Sequence, residues 1–427
     1  MRPGLVVVCL LLAGGLSAQP LRIAEVLAGV DKDLRVRHSQ ELADLAASLR
    51  YHIPLLKEVE ARIGIRGSVL GDTIYGYLRN EDIYALQIET NSFKEIRAQK
   101  NWRQAQINTL LAEKELYREE ALLARYEVCA AWYHASRRQV AQNRLLELLQ
   151  QKQQLLRISA AEGLDFSIKD AISVEEDLLD LQNKLAETAH VLEENQLKIR
   201  QFMGLTDNME LDTAHFITAD EIAAYLVQSG ADASPTAAIQ LRSSISDLSE
   251  AAYQNANAQN RQIFNSLRLN YDHPLYLERP SRFNTFNNFS IRLGLRIPLT
   301  GNNNFRSSRA MLEWREDELA AQRTAEMLAA ERDRQRLQLA QRIGAYRNYL
   351  DQEQQSLTAR LLSDAALRPN LSAKELTDME IIQQKLRLRH IAAAAELTQT
   401  YLQLLLLDGK MNAGERRNWL SRVGEEW

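Results

Sequence analysis

From Ser290 to Leu299 the chain reads Ser-Ile-Arg-Leu-Gly-Leu-Arg-Ile-Pro-Leu, and apolar residues alternate with polar or small ones as far as Pro298. Successive side chains of a strand point to opposite faces. Ile291, Leu293, Leu295 and Ile297 therefore form one apolar face, with Arg292 and Arg296 on the other. Two arginines at this spacing suit a membrane barrel strand, which has lipid outside and water inside, better than a soluble core strand. Arg62–Arg66 and Tyr84–Glu89 alternate in the same way, and a further strand is expected near Ser266–Tyr271.

Helical pattern surrounds these segments. It runs from Leu21 to about Glu60, then from Phe93 to about Ser159 without Pro or Gly, which makes a helix roughly 100 Å long. After a break at Gly163 it resumes from Ile168 to Met203. Thr218-Ala219-Asp220-Glu221 has the form of a helix-starting capping box, and Ser234-Pro235 opens another helix. A second long helix is expected from about Phe305 to Ala366, and a last one from Ala373 to about Leu407, after Pro369.

The two halves register on each other. Ser167-Ile168-Lys169-Asp170 matches Ser372-Ala373-Lys374-Glu375, an offset of 372 − 167 = 205, and Gly204 matches Gly409 at the same offset. This implies a duplicated unit of helix, strand pair and helical hairpin. The reading divides the chain into a first repeat over 19–208 with strands at about 61–92, a connector over 209–234, a second repeat over 235–410 with strands at about 266–299, and a C-terminal tail over 411–427. The fold class is mainly α with a small β part and long antiparallel hairpins. Leu145, Leu146, Leu148, Leu149, Leu155 and Leu156 recur at near-heptad spacing and seek partner helices in coiled-coil fashion.

Four strands cannot close a membrane barrel, because the smallest single-chain bacterial barrels have about eight. Open edges cannot face lipid. A barrel therefore requires several copies of the chain. Tyr75, Tyr77, Tyr84, Tyr271, Tyr276, Phe283, Phe286 and Phe289 cluster near the strand ends, where an interfacial aromatic girdle would lie.

Composition narrows the function classes. The 427 residues carry a net charge of −4, which gives no support to nucleic-acid binding. Arg2, the apolar run Leu5–Ala13 and the small residues up to Ala18 read as an export signal over residues 1–18. Cys129 then stays as the one cysteine, so no intrachain disulfide is expected. The seven histidines form no ligand spacing with one another or with Cys129, and no phosphate loop or nucleophile elbow is present. No metal, cofactor or catalytic residue is expected.

Ile297-Pro298-Leu299-Thr300-Gly301, the Gly163…Ser167…Asp170 break, the helix ending at Gly204-Leu205 and the 205-residue duplication together resemble the TolC-like outer-membrane efflux family. The resemblance spans about Leu21 to Lys410. It implies a homotrimer in which four strands per chain build one transmembrane β-barrel in the outer membrane, and helices continue it as an α-barrel tunnel across the periplasm. It further implies passive export of small toxic molecules or secreted proteins, with an inner-membrane pump and a periplasmic adaptor as partners. Under it, Gly163, Leu164, Ser167, Asp170, Pro369, Asn370 and Ser372 are adaptor-contacting tips, and Glu375 and Asp378 ring the periplasmic gate. Capping also explains both tips, with Ser167 and Ser372 as N-caps and Asp170 and Glu375 at the third helical position. The alternative is a periplasmic helical scaffold or adaptor without a barrel, which leaves the Ile291–Ile297 face unexplained.

Overall fold

The computed structural model describes residues 21–49, 56–70, 77–162, 167–205, 210–228, 234–260, 264–275, 289–295, 301–364, 371–411, 416–422 and 426–427. In order these form Leu21–Arg22 (β1), Ile23–Ala28 (α1), a 3-10 turn at Gly29–Lys32, Leu34–Ser48 (α2), Leu56–Leu70 (β2), Tyr77–Thr90 (β3), Phe93–Ala161 (α3) and Ile168–Met203 (α4). Leu211–Asp212 (β4), Ala219–Gln228 (α5), Ala237–Asn260 (α6), Phe264–Leu275 (β5), Phe289–Leu295 (β6), Gly301–Gln355 (α7), Leu357–Ser363 (α8) and Ala373–Leu407 (α9) follow.

Two compact units share these elements. One comprises Met1–His38, Lys114–Ala237 and Glu326–Trp427; the other comprises Ser39–Glu113 and Ala238–Ala325. Each unit draws on both halves of the sequence.

The helix boundaries follow from caps. Ser92 Oγ accepts the Glu95 amide at 3.1 Å, which starts α3, and Ser167 Oγ accepts the Asp170 amide at 3.2 Å, which starts α4. Thr218 and Glu221 form the expected box, with the Thr218 amide donating to Glu221 Oε2 at 2.7 Å and the Glu221 amide to Thr218 Oγ1 at 3.4 Å. At the other ends, Gly204 and Gly409 both sit at φ 66°, in the left-handed region where a Cβ is disfavoured. A Cβ at Gly204 would meet open space, whereas one at Gly409 would lie 2.5 Å from the Ser234 carbonyl oxygen. Gly409 is thus required twice, for its own backbone and for the close passage of the segment leading into α6.

Two expected helices end early. The helical pattern read from Leu21 to Glu60 stops at Ser48, and β2 begins at Leu56. There Lys57-Glu58-Val59-Glu60-Ala61-Arg62-Ile63 already has a two-residue period. The Arg103 guanidinium closes α2 by donating to the carbonyls of Ala46 (3.1 Å), Ala47 (3.3 Å) and Leu49. The second long helix, expected to run to Ala366, breaks at Ser356 between α7 and α8.

The larger core of the first unit gathers Val26, Leu27 and Val30 from the N-terminal turns, Leu122, Tyr126 and Cys129 from α3, Leu339 from α7, and Leu397, Tyr401, Leu402 and Leu405 from α9. Leu420 is fully buried in it, so residues 416–422 pack as part of the body. A second cluster joins Leu145, Leu148, Leu149 and Leu156 of α3 to Val174, Leu178 and Leu181 of α4 and Ile381 of α9. This is the coiled-coil seam that the heptad spacing implies. Each fully buried leucine in it contributes about 1.5–3 kcal/mol by leaving water.

One buried acid makes the fold sensitive to pH. Glu119 of α3 is 1% exposed, and both carboxylate oxygens lie 3.2 Å from the Ala237 amide at the start of α6. Burial, opposed by that amide and reinforced by Glu115, raises its pKa from 4.5 to about 7. The folded chain therefore binds a proton here that the unfolded chain has released between those values. Stability from this group is full below about pH 4.5 and is lost as pH rises through about 7, by up to roughly 3 kcal/mol. Glu119→Gln should flatten the fall in thermal midpoint between pH 5 and pH 8. An unchanged slope would place the titration elsewhere.

Candidate functional site

β2, β3, β5 and β6 form one antiparallel sheet in that order. Its register carries the chemistry. Val59 lies opposite Ile88, Ile88 opposite Leu267, and Leu267 opposite Leu293. The next rung is Ala61, Leu86, Leu269 and Ile291, and the third is Ile63, Tyr84, Tyr271 and Phe289. The first two rungs lie on one face with Ile63, Tyr84 and Tyr271 of the third, and all of these residues are apolar or aromatic. Ile63 is 79% exposed, Ile291 61% and Leu293 62%, so among the described residues nothing covers that face there.

The opposite face is polar. One rung reads Glu60, Gln87, Arg268, Arg292 and the next Arg62, Ala85, Asn270, Ser290. Its side chains bond along the surface: Arg62 Nε donates to Glu60 Oε1 at 2.8 Å, Arg268 Nε to Asn270 Oδ1 at 2.9 Å, and Asn270 Nδ2 to Ser290 Oγ at 3.3 Å. β2 and β6 are the edges, each with one neighbour among the described strands. Of the four residues read as lipid-facing, Ile291 and Leu293 occupy the apolar face. Leu295 ends β6 opposite Phe264, past a register shift, and Ile297 lies outside the described residues.

The tip and gate residues lie where α4 and α9 begin. Gly163, Leu164, Pro369 and Asn370 lie outside the described residues. Ser167 and Ser372 are N-caps, and Ser372 forms a full box, its amide donating to Glu375 Oε2 at 2.8 Å and its hydroxyl at 2.7 Å. Those two bonds hold the Glu375 carboxyl below its usual pKa range. Asp170 accepts from Lys374 Nζ at 2.9 Å, and this bond, together with Lys374's charge, lowers its pKa too. Asp378 is paired with Lys152 Nζ of α3 at 2.6 Å. The two acids that share one helical face in the sequence thus have separate partners in this chain.

Lys152 and Lys374 were not singled out in the sequence, although Lys374 is within the repeat register and one residue from an expected gate acid. Farther along α9, Lys385 Nζ meets Asp177 of α4 at 2.8 Å, and Gln384 Nε2 donates to the Ala141 carbonyl of α3 at 2.9 Å. α9 is therefore tied to the α3–α4 hairpin by charge and by packing. Among the described residues, no group of three or more His, Cys, Asp or Glu side chains is placed to hold a metal, and no helix is long and apolar enough to cross a membrane. His134 bonds Thr398 Oγ1 at 3.0 Å in the core, where burial lowers its pKa to about 3.

No protein-family model and no curated protein matches the chain. Solved structures do match. The open-state outer-membrane channel MtrE of Neisseria gonorrhoeae is 14% identical, with 92% of this chain covering 89% of that one at a TM-score of 0.63. The outer-membrane channel OprN is 15% identical, covered 91% against 89% at a TM-score of 0.60. The outer membrane protein VceC of Vibrio cholerae is 13% identical, covered 92% against 96% at 0.59. Over some nine-tenths of its length, the chain has the fold of the TolC-like outer-membrane channels.

Proposed function

We propose that the chain is one subunit of an outer-membrane exit duct. Three copies place twelve strands edge to edge as one barrel, and their helices continue it as a tunnel into the periplasm. The observation that carries this reading is the row of apolar rungs across four strands, exposed on one face and backed by a polar face. Lipid is the environment that makes such a face favourable. Pairing β6 of one copy with β2 of the next satisfies the backbone groups of both edges.

The role is passive. Substrates, small toxic molecules or secreted proteins, would be handed over by an inner-membrane pump through a periplasmic adaptor that meets Ser167, Asp170, Ser372 and the neighbouring tips. Glu375 and Asp378 are proposed to line the narrow periplasmic end, where rings of acids favour cations. The Lys152–Asp378 pair then moderates the charge of that ring.

Purification in detergent as a heat-sensitive trimer that conducts ions in a planar bilayer is the expected result. A monomer stable in water without detergent would defeat the reading. For the gate, replacing Glu375 and Asp378 with Ala should lower cation preference and raise single-channel conductance. Unchanged currents and selectivity would remove these acids from the constriction.

A further inference from the structure

The last two strands of the sheet carry positive charge on their polar face. The side chains described there are Ser266, Arg268 and Asn270 of β5 and Ser290, Arg292 and Gly294 of β6, with no acid among them. Arg268 and Arg292 are directly opposite each other. Residues so placed stand about 4.5–5.5 Å apart at Cβ, and like charges there repel. Two guanidiniums in this position break a local rule of sheet pairing, and such breaks are expected at functional sites.

The acids of the neighbouring strands are engaged elsewhere. Both oxygens of Glu60 are held by Arg62, at 2.8 Å from Nε and 2.9 Å from Nη2. β3 stands between Glu60 and Arg268, so two strand spacings, roughly 10 Å, separate their backbones. Glu89 of β3, opposite Ser266, accepts Gln87 Nε2 at 3.4 Å. Arg292 is exposed and has no hydrogen-bond or ion-pair partner among the described residues.

The pair is also held ready for a ligand. Arg268 Nε donates to Asn270 Oδ1 at 2.9 Å, and Asn270, 6% exposed, is fixed in turn by donating to Ser290 Oγ at 3.3 Å. The Nη groups of Arg268 and the whole fork of Arg292 are left to donate. On the next rung the Ser266 hydroxyl stays uncovered because the residue opposite is Gly294; a side chain there would run into Ser266 Oγ. Two planar forks and a hydroxyl match an oxyanion, since a guanidinium takes carboxylate or phosphate oxygens two at a time.

We propose that Arg268 and Arg292 form an oxyanion-binding site on the water-filled side of the sheet, which takes the carboxylate or phosphate group of a molecule passing through the duct. This rests on the duct reading. Three copies set six guanidiniums around one lumen, whose low-dielectric wall focuses their field. The preference is opposite in sign to the one proposed for Glu375 and Asp378, so the two sets of residues are separable by measurement.

Planar-bilayer recordings of the detergent-purified full-length chain test the site, with inorganic phosphate and succinate as probes against a chloride background. Both should reduce the single-channel current with rising concentration. Block by either supports the site, and the lower half-blocking concentration tells phosphate from carboxylate. Arg268→Gln with Arg292→Gln should raise the half-blocking concentration by about tenfold, the worth of one charge-assisted contact. It should also move the reversal potential in a KCl gradient toward cations. Arg292→Lys should keep the parent's reversal potential and weaken the block, because an ammonium has no fork. Unchanged block and reversal potential in the double Gln variant would overturn the site. So would a lower yield of heat-sensitive trimer from Arg292→Gln with the block intact, since the arginine would then be pairing with a carboxylate of the next copy. The duct reading is judged separately. A conducting trimer indifferent to both probes keeps the duct and loses the site. A non-conducting protein whose thermal midpoint rises with phosphate only while both arginines are present keeps the site and loses the duct.

Discussion

Ile291→Arg combined with Leu293→Arg should abolish membrane assembly while leaving the chain exported. Both side chains lie on the exposed apolar face of β6, opposite Leu269 and Leu267. Near the middle of a bilayer a lipid-facing arginine costs about 2–4 kcal/mol, falling toward zero at the interface. In the proposed trimer, two per chain would place six charges in one lipid belt, far more than a marginally stable assembly tolerates. Arg292→Gln, between them on the polar face beside Arg268, should leave assembly intact. The measurement is the share of protein running as a heat-sensitive trimer from the outer-membrane fraction. Equal trimer yield in the double variant and the parent would mean that the rungs face something other than lipid, and the barrel reading would fall with it.

How much of this was legible in the sequence depended on which residues carry their own signal. The Ile291–Leu293 alternation and the Ser167 and Ser372 caps are local patterns, and the structure places each accordingly. α4 spans the same residues, Ile168–Met203, that the pattern gave. The strand pairs were harder to see. β2 begins five residues earlier than expected, at Leu56, because the two-residue period of its first residues rests on Val59 alone and is obscured by the helix-favouring Lys57, Glu58 and Glu60. The break at Ser356 was hidden for a different reason: Gln383, whose Nε2 takes the Glu353 carbonyl there, lies on another helix. The same applies to Asp378, whose partner Lys152 is set by hairpin packing. Periodicity specifies faces, whereas long-range partners are fixed only once those faces meet.

Arg125 is another residue that pattern reading passes over, and its removal should have the largest effect in the helical body. It is among the largest fully buried side chains of the chain. Nη2 donates to the Gly29 carbonyl at 3.2 Å and Nη1 to the Ala121 carbonyl at 3.2 Å; Asp33 lies 3.7 Å from Nη1, and the guanidinium sits 4.6 Å from the Phe202 ring centroid. One side chain thus joins the N-terminal turns, α3 and the end of α4. Burial lowers its pKa and Asp33 opposes that, but an arginine stays charged regardless. Arg125→Met keeps the stem's packing, removes the guanidinium donor from the Gly29 carbonyl and leaves Asp33 without its cation, although the Arg35 amide still donates to Asp33 Oδ1 at 3.0 Å. Removing one partner of a buried pair costs about 3–5 kcal/mol, and the lower end applies because Asp33 is 27% exposed and rehydrates. For a body of this size that corresponds to a fall in thermal midpoint of roughly 5–10 °C. Arg125→Lys should recover little, since an ammonium cannot reach two carbonyls and an aromatic face in one plane. Asp33→Asn added to Arg125→Met should cost less than the sum of the two single changes, because the charge left behind is then gone. Strict additivity would show that Arg125 acts by filling space, and that the N-terminal turns are held by Val26, Leu27 and Val30 alone.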